Sequence, residues 1–344
     1  MTKRINIALQ GGGAHGAFTW GVLDRLLQDD DLEIVAISGT SAGALNGAAL
    51  KSGLVKGGHQ GARDRLAELW KSIGAREDDA FTKWFEHLLP SPAMISHALE
   101  MSPGYMVTDT MTRMTSPYAW GPMSYNPLEA IVDDFDFAAI CEGASPEFFV
   151  CATNVRTGKI RVFDNSDIDQ KAIMASACLP TIYQAVQIKA RDSEEVDGYW
   201  DGGYTGNPAL FPFFRKDLPD DIVIVNINPL ERPKLPVTPQ EIQNRINEIS
   251  FNSSLLRELR AVSFVKRLLA NGTIAKGAMK DVNIHMIADD DLMTDLSVAT
   301  KMTPIPYMLS SLKEAGQRAA DRWLAMHRDK INENCSVDLQ AMFS

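Results

Sequence analysis

The sequence has no long hydrophobic run and no excess of basic residues. Its 34 lysines and arginines are outnumbered by 44 acidic residues, which gives a formal net charge of -10 at pH 7. Nucleic-acid-binding proteins need clustered lysine and arginine, so this balance argues against a nucleic-acid partner. It also argues against tight electrostatic docking on anionic membranes. Any contact with a membrane or micelle surface is therefore expected to be transient and apolar.

The amino-terminal segment lacks the features of an export signal or a membrane anchor. Its apolar run is too short for the core of a signal peptide, and no stretch approaches the length of a transmembrane helix. The cysteines show neither metal-ligand spacing nor a dense disulfide framework, and they are Cys141, Cys151, Cys178 and Cys335. These absences predict a cytoplasmic protein with reduced thiols and without a cysteine metal site.

The first fifty residues alternate between strand and helix patterns. Residues 4–9 and 32–38 are short apolar runs, as in buried strands. Apolar residues recur at helical spacing from Ala17 to Leu27, and Ala42 to Leu50 is a helix rich in alanine and glycine. This β-α-β-α order predicts a three-layer α/β/α fold around a central, mostly parallel sheet.

The later part of the chain continues the mixed pattern. Residues 147–163 predict a hairpin that turns at Thr157-Gly158, and residues 221–228 form the clearest buried strand. A last strand is expected near residues 283–288. Long helices are expected over residues 240–270, as one helix or two, and over residues 306–327.

Residues 54–125 interrupt this pattern. Methionine and aromatic residues are frequent there, and prolines divide the segment into short pieces. Methionine fills irregular apolar space, and long insertions without regular structure are usually functional. We therefore expect these residues to form a lid or a pocket for apolar groups, inserted into a domain that the rest of the chain forms. Residues 231–344 are expected to form a helical carboxyl-terminal extension packed on the same domain.

Residues 39–43 read Gly-Thr-Ser-Ala-Gly and match the pattern G-x-S-x-G. They lie between an apolar strand and a small-residue helix, which is where a nucleophile elbow is found. Such a turn lifts the Ser41 hydroxyl clear of the backbone, while Gly39 and Gly43 carry no Cβ atom that would clash. The alternative is a tight turn between strand and helix without chemistry.

Residues 11–16, Gly-Gly-Gly-Ala-His-Gly, follow the first strand and open the first helix. Their consecutive N–H groups could form an oxyanion hole. Gly11, Gly13 and Gly16 also spell the dinucleotide pattern G-x-G-x-x-G, which requires an acidic residue at the end of the next strand. That strand ends on the serine turn instead, so the oxyanion role is favoured over nucleotide binding. A simple tight turn is the third possibility.

A third motif lies far downstream, where residues 201–203 read Asp-Gly-Gly after a predicted strand. Asp-Gly alone is a common turn pair. A glycine loop, a serine turn and Asp-Gly-Gly in this order, however, resemble the patatin-like phospholipase family. The Ala-Ser-rich residues 175–180 and the pair Asn207-Pro208 fit the same resemblance, which covers about residues 4–230. It implies that residues 4–230 are a catalytic domain, in which residues 54–125 form a lid or an acyl pocket.

The resemblance implies a serine hydrolase that cleaves carboxylic esters of lipids, as a phospholipase A, a lipid acyl hydrolase or an esterase. Ser41 would attack the ester, and Asp201 would take its proton directly and later activate the water that hydrolyses the acyl-enzyme. Six glycines of the three motifs would support the site: Gly11, Gly16, Gly39, Gly43, Gly202 and Gly203. The oxyanion would be held by the N–H groups of Gly12, Gly13 and Ala14. The resemblance implies that this chemistry requires neither a metal nor a cofactor.

Two features leave alternatives open. The family usually carries arginine or lysine where this chain has His15, which is mostly neutral at pH 7, so both phosphoglycerides and simple esters stay possible. Only His285 and His327 follow Asp201, in the order of a Ser-Asp-His triad. In an α/β-hydrolase, however, the nucleophile comes later than the second strand.

Overall fold

A sheet of eight strands forms the centre of the molecule, in a computed structural model that describes residues 2–74, 91–119, 126–189 and 195–343. The strands are β1 (Lys3–Leu9), β2 (Leu32–Gly39), β3 (Glu147–Asn154), β4 (Ile160–Asp164), β5 (Val186–Lys189), β6 (Val196–Asp201), β7 (Asp221–Val225) and β8 (Asn283–Ile287). Their order is β5-β6-β3-β2-β1-β7-β8, and β4 pairs with β3 outside this path. Strands β3, β2, β1, β7 and β8 are parallel, whereas β4, β5 and β6 join by antiparallel pairing.

Twelve α-helices are found in the described residues. They are α1 (Gly16–Leu26), α2 (Ala42–Gly74), α3 (Pro92–Glu100), α4 (Pro103–Met114), α5 (Glu129–Asp133), α6 (Phe137–Ile140), α7 (Gln170–Ser176), α8 (Pro239–Ala270), α9 (Asp290–Thr294), α10 (Val298–Met302), α11 (Pro306–His327) and α12 (Leu339–Met342). None of these helices combines the length and the hydropathy that a membrane crossing requires.

The sheet is covered on both faces, which is why residues Ile5–Leu9 of β1 and all of β7 are buried. Ile7 and Leu9 of β1 pack into one cluster with residues of α1, α2 and α11. Ala8, between them in sequence, packs with Ile224 and with residues of α8 in a second cluster. Successive residues of a strand point to opposite faces, so the two clusters are the two sides of one sheet. The three-layer α/β/α fold is confirmed.

The predicted elements match the observed ones closely where the apolar pattern is strong. The hairpin of β3 and β4 turns at Gly158, whose φ is +67°, and helix α11 spans residues 306–327 as predicted. The helix after the serine turn is longer than predicted, because α2 continues from Ala42 to Gly74. Its two parts meet at Gly57 and Gly58, where the backbone leaves helical geometry. Paired glycines are a common cause of such a kink in a helix.

The predicted insertion is described only in part. Residues 75–90 and 120–125 lie outside the described residues. Between them, prolines divide the chain as expected, because α3 and α4 each begin at a proline. Ser91 and Ser102 cap these helices, each accepting the N–H of the third following residue at 3.2 Å. Serine followed by proline is a helix-start signal, and it was present in the sequence.

The segment after residue 230 packs on both faces of the sheet and extends it. Strand β8 pairs in parallel with β7, and α8 covers one face. Helix α11 lies against α1 at very short range, since a Cβ atom at Gly21 would fall 1.9 Å from the Lys313 carbonyl oxygen. The same holds in reverse at Gly316, where a Cβ atom would lie 2.1 Å from the Phe18 oxygen. This part of the chain therefore shares one sheet and one core with the rest.

Candidate active site

The serine turn and the glycine loop meet at the carboxyl edge of the sheet. The loop follows β1 and the serine turn follows β2, and these two strands are parallel neighbours. Loops that follow neighbouring parallel strands lie side by side, which is where α/β proteins place their sites. The approach is so close that a Cβ atom at Gly11 would lie 2.7 Å from Ser41 Cβ.

Ser41 has the backbone geometry of a nucleophile elbow. Its φ is +55°, a conformation that residues with a side chain rarely adopt. Its carbonyl oxygen accepts the N–H of Ala44 at 2.9 Å as α2 begins. Its own N–H donates to Ser176 Oγ at 2.9 Å. The strained turn is thus fixed from both sides, and the side chain stands at the positive end of α2.

Asp201 ends β6 and is completely buried. Its N–H donates to the Cys178 carbonyl oxygen at 2.8 Å, and its carbonyl oxygen accepts the Thr153 hydroxyl at 2.8 Å. Carboxylate oxygen Oδ1 accepts the Gly203 N–H at 2.7 Å. Oxygen Oδ2 is buried and has no hydrogen-bond partner among the described residues. One oxygen of this carboxylate is therefore held in place, and the other is free to accept a proton.

Burial raises the pKa of Asp201 to about 7, and hydrogen bonding from Gly203 and from the Ser41 hydroxyl lowers it in part. The Ser41 hydroxyl thus lies beside the carboxylate, although it does not reach full hydrogen-bond geometry with the free Oδ2. A carboxylate whose pKa is close to neutral pH is a far better general base than an ordinary aspartate. The structure brings the two predicted catalytic side chains together.

Helix α7 positions both side chains, and sequence reasoning did not assign it that role. Ser176 at its end accepts the Ser41 N–H, and two residues later Cys178 accepts the Asp201 N–H. The Ala-Ser-rich residues 175–180 had been singled out only as part of the family resemblance. The end of this helix therefore contacts both the serine turn and the strand end that carries Asp201.

The glycine loop offers backbone donors at the start of a helix. Residues Gly13–His15 form a 3-10 helix that leads directly into α1. The N–H groups of Gly12, Gly13 and Ala14 donate to no acceptor within the described part of the chain. Unpaired N–H groups at a helix start form a ready site for negative charge. The Gly11 N–H is not one of them, because it donates to Asn207 Oδ1 at 2.7 Å.

A buried amide network holds the glycine loop, and sequence reasoning missed it. Gln10 Oε1 accepts the N–H groups of Ile227 and Asn228 at 2.9 and 3.0 Å, and Gln10 Nε2 donates to Asn252 Oδ1 at 3.2 Å. Asn228 Nδ2 in turn donates to the Gly11 carbonyl oxygen at 2.8 Å. The available signal was the occurrence of amide side chains at the ends of apolar strands.

His15 has a structural position rather than a ligand-binding one. It is buried, and its Nε2 pairs with Thr300 Oγ1 at 2.8 Å. Burial, together with the nearby Lys301, lowers the pKa of His15 well below its usual value. His15 is therefore neutral, and it cannot supply the cation that the family resemblance implied at this place.

The two downstream histidines are not placed as members of a triad. His285 lies in β8, and its Nε2 pairs at 2.8 Å with Asp221, which begins β7 at the opposite edge of the sheet. His327 ends α11 and packs against Trp323. Within the described residues, no three histidine, cysteine or acidic side chains are grouped closely enough to hold a metal ion.

The six predicted supporting glycines, and the two glycines of the predicted oxyanion hole, Gly12 and Gly13, all lie where the surroundings are too crowded for a side chain. At each of them an added Cβ atom would fall within 3.0 Å of a neighbouring atom. They are Gly11, Gly12, Gly13, Gly16, Gly39, Gly43, Gly202 and Gly203. At Gly43 the neighbour is the Leu9 carbonyl oxygen at 2.1 Å, which brings α2 directly onto the end of β1.

Gly13 is the glycine whose replacement should cost most at the loop. Its φ is +59°, and a Cβ atom would lie 2.3 Å from the Lys301 carbonyl oxygen. We expect Gly13→Ala to lower the free energy of unfolding by about 1–3 kcal/mol, because strain and overpacking add. Urea unfolding measures this, with Gly57→Ala as control, since no atom lies within 4 Å of a Cβ there. Equal effects of the two substitutions would contradict the assigned loop geometry.

Comparison with known proteins identifies the family. The model of the family described as patatin-like phospholipase matches residues 7–214, which is more than half of the chain. No curated protein matches the sequence. Among solved structures, VipD from Legionella pneumophila is 13% identical with a TM-score of 0.41, covering 95% of this chain and 67% of its own. The ExoU-SpcU complex from the type III secretion system of Pseudomonas aeruginosa is 14% identical with a TM-score of 0.30, covering 96% of this chain and 61% of the other.

The family match includes the glycine loop, the serine turn and Asp-Gly-Gly, so it covers each motif that the structure brings together. This chain is a member of the patatin-like phospholipase family.

Proposed function

We propose that the protein is a serine hydrolase that cleaves carboxylic ester bonds of lipids through a Ser41–Asp201 dyad. The observation that carries the proposal is the pairing of a strained elbow serine with a buried carboxylate whose pKa is about 7. Free N–H groups of the glycine loop beside the serine support it, as does membership of a phospholipase family. The nucleotide-binding alternative lacks the acidic residue it requires after β2, because Ser41 stands there.

The geometry supports a two-step reaction. Asp201 accepts the hydroxyl proton as Ser41 Oγ attacks the ester carbonyl carbon, and the N–H groups of Gly12, Gly13 and Ala14 stabilise the resulting oxyanion. The intermediate collapses, the alcohol leaves with the proton from Asp201, and an acyl-enzyme remains. Asp201 then deprotonates a water molecule, which attacks the acyl carbon and releases the fatty acid. An alcohol in place of water would give acyl transfer by the same steps.

Burial allows Asp201 to act as a general base without the help of a histidine. A free aspartate has a pKa near ~3.9 and holds a proton too weakly to take one from a serine hydroxyl. Loss of hydration raises this pKa, and the N–H of Gly203 keeps one oxygen correctly oriented. The carboxylate therefore combines a pKa near neutrality with fixed geometry.

Hydrolysis of p-nitrophenyl butyrate, p-nitrophenyl palmitate and phosphatidylcholine by the full chain tests the proposal, with heat-denatured protein as control. A fluorophosphonate, which phosphorylates activated serines, should label Ser41, and peptide mass spectrometry identifies the labelled residue. The ranking of the three substrates then separates an esterase from a phospholipase. Absence of hydrolysis together with absence of labelling, or labelling at another serine, would contradict the dyad.

We further propose that exposed apolar side chains beside the site contact the lipid surface. Ile242, Ile246 and Ile249 lie at helical spacing on α8 and are 43%, 53% and 55% exposed. The same helix covers the catalytic loop, because Phe251 stacks edge-on against Tyr204 at 5.2 Å between ring centroids. Helix α4 presents further apolar side chains, and they are Met106, Val107, Met111 and Met114. The net charge of -10 favours a zwitterionic surface over an anionic one.

Ile246→Asp is expected to weaken sedimentation with phosphatidylcholine vesicles about 10-fold or more, because an isoleucine that enters an apolar phase contributes about 1.5–3 kcal/mol. Hydrolysis of the water-soluble butyrate ester should be unchanged. Met326→Asp is the matched control, since Met326 is 65% exposed near the end of α11. Shortly after it, the Ile331 carbonyl oxygen accepts the ammonium of Lys3, which begins β1, so this control lies near the amino edge of the sheet. Equal losses for both variants would argue against this face as the contact surface.

A further inference from the structure

The glycine loop packs against a lysine supplied by the carboxyl-terminal part of the chain. Lys301 lies in α10, and its carbonyl oxygen and Cβ would be 2.3 and 3.5 Å from a Cβ atom at Gly13. Its ammonium donates to Asn228 Oδ1 at 2.7 Å, and the same Asn228 donates to the Gly11 carbonyl oxygen at 2.8 Å. The cation is therefore connected to the loop by one side chain and lies against it through the backbone.

The ammonium of Lys301 forms no close ion pair with a carboxylate of the described residues. Within the described residues, the ammonium of Lys301 donates to Asn228 Oδ1 and to no other acceptor. The charged groups that act on it are Glu248 of α8 and Arg232, while neutral His15 faces it from the loop. Glu248 is already bound by Arg232 at 2.6 Å and by Arg245 at 3.3 Å. On α3, Glu100 acts on Arg232 rather than on Lys301.

Lys301 is a largely buried cation with few partners, and it lies near a row of unpaired N–H groups. A negative charge placed beside them would be stabilised by both. In the proposed reaction such a charge develops on the carbonyl oxygen at the glycine loop. Low-dielectric surroundings make the effect of a nearby fixed charge much larger than it would be in water.

We propose that Lys301 supplies the positive charge of the oxyanion hole, as a positioning residue that acts across Gly13 and through Asn228. The inference rests on the proposed function and adds to it the source of the charge. Lys301 is expected to stabilise the transition state for any ester, whether or not its alcohol carries a phosphate. Its effect should therefore appear in kcat rather than in KM.

The charge of Lys301 also predicts how the rate depends on pH. Burial lowers the pKa of Lys301 to about 8, Glu248 opposes this shift and Arg232 adds to it. The ammonium is charged below this pH and neutral above it. Because Asp201 must lose its proton near pH 7, the rate should rise through pH 7 and fall above about pH 8.

The test compares wild type, Lys301→Gln and Lys301→Arg from pH 6 to pH 10, on p-nitrophenyl butyrate and on phosphatidylcholine. Lys301→Gln should lower kcat about 10- to 100-fold at pH 7 on both substrates and remove the alkaline fall. Lys301→Arg should recover most of kcat and move the fall beyond pH 10, because arginine stays charged. Lys159→Gln, which changes an exposed lysine in the hairpin turn, is the control and should match wild type.

Several outcomes would overturn the inference. These are a normal kcat in Lys301→Gln, an alkaline fall that persists in it, or a loss confined to the KM for phosphatidylcholine, which would place the charge on the head group instead. If Lys301→Gln fails to fold, wild type and Lys301→Arg still decide, because an unmoved alkaline fall in Lys301→Arg contradicts the role. Hydrolysis by wild type that persists in Ser41→Ala would instead contradict the proposed function itself.

Discussion

Ser41→Ala is expected to reduce ester hydrolysis by about 10⁴-fold or more. Without Oγ no acyl-enzyme can form, and the loop N–H groups and Asp201 can assist only a direct attack by water. Removal of a serine nucleophile commonly costs this much, while binding and the oxyanion hole leave a small residual rate. The measurement is the initial rate on p-nitrophenyl butyrate at pH 7.5, and a residual rate above a few per cent would exclude Ser41 as nucleophile.

Ser41→Gly separates the strain of the elbow from its chemistry. Both variants lack Oγ, so both should be inactive. At a φ of +55° alanine retains the unfavourable backbone conformation, whereas glycine adopts it freely. Glycine also removes the Cβ atom that faces Gly11.

We therefore expect Ser41→Gly to be more stable to urea than Ser41→Ala, by about 1 kcal/mol at this strained position. That difference would measure the strain which the nucleophile elbow stores for function. A glycine variant no more stable than the alanine variant would show that the turn is unstrained.

The sequence predicts features that depend on neighbouring residues. The strand before Ser41, the small helix after it and the glycine turn are all within a few residues of one another, so their signals are local. The bounds of α11 follow equally well from its apolar spacing. By contrast β5 is a four-residue edge strand with a weak apolar pattern, and it was not predicted. The length of α2 was underestimated, because the helix was predicted to end at Leu50, whereas it continues to Gly74 with non-helical geometry at Gly57 and Gly58.

The supporting side chains of the site could not be predicted, because their roles exist only in the folded chain. Asn207, Asn228 and Asn252 are distant from the glycine loop in sequence and are polar residues of an ordinary kind. Lys301 is one of 34 basic residues, and nothing local distinguishes it from those exposed to solvent. His15 was correctly seen as uncharged, but only the structure shows that another residue places a cation beside the same loop.

Asp201→Asn is the second substitution expected to abolish activity, by about 10⁴-fold, because an amide cannot accept the hydroxyl proton. The loss should persist at every pH, whereas wild type should gain rate as Asp201 ionises near pH 7. His327→Ala is the matched control for a triad, and it should leave the rate and its pH dependence unchanged. A normal rate of ester hydrolysis in Asp201→Asn, or loss of hydrolysis in His327→Ala, would contradict the assignment of Asp201 as the general base.

The same substitution should stabilise the fold at alkaline pH. The pKa of Asp201 is raised by burial to about 7, whereas an unfolded aspartate has a pKa near ~3.9. The native state therefore holds the Asp201 proton more tightly than the unfolded state does. The contribution of Asp201 to the free energy of unfolding is complete below about pH 4 and is lost as the pH rises to about 7. A difference of about three pKa units corresponds to about 4 kcal/mol, and Asp201→Asn should recover about 2–4 kcal/mol of it above pH 8.

Urea unfolding at pH 4.5 and pH 8.5 measures this difference between wild type and Asp201→Asn. Glu258, whose pKa burial also raises to about 7, titrates in both proteins and cancels in the comparison. The gain should be small at pH 4.5 and large at pH 8.5. A gain that does not grow with pH would mean that Asp201 is not the group whose ionised form the fold disfavours. If the gain does grow with pH, burial has two effects on the same carboxylate. It disfavours the ionised form of Asp201, and it makes Asp201 basic enough to accept a proton from Ser41.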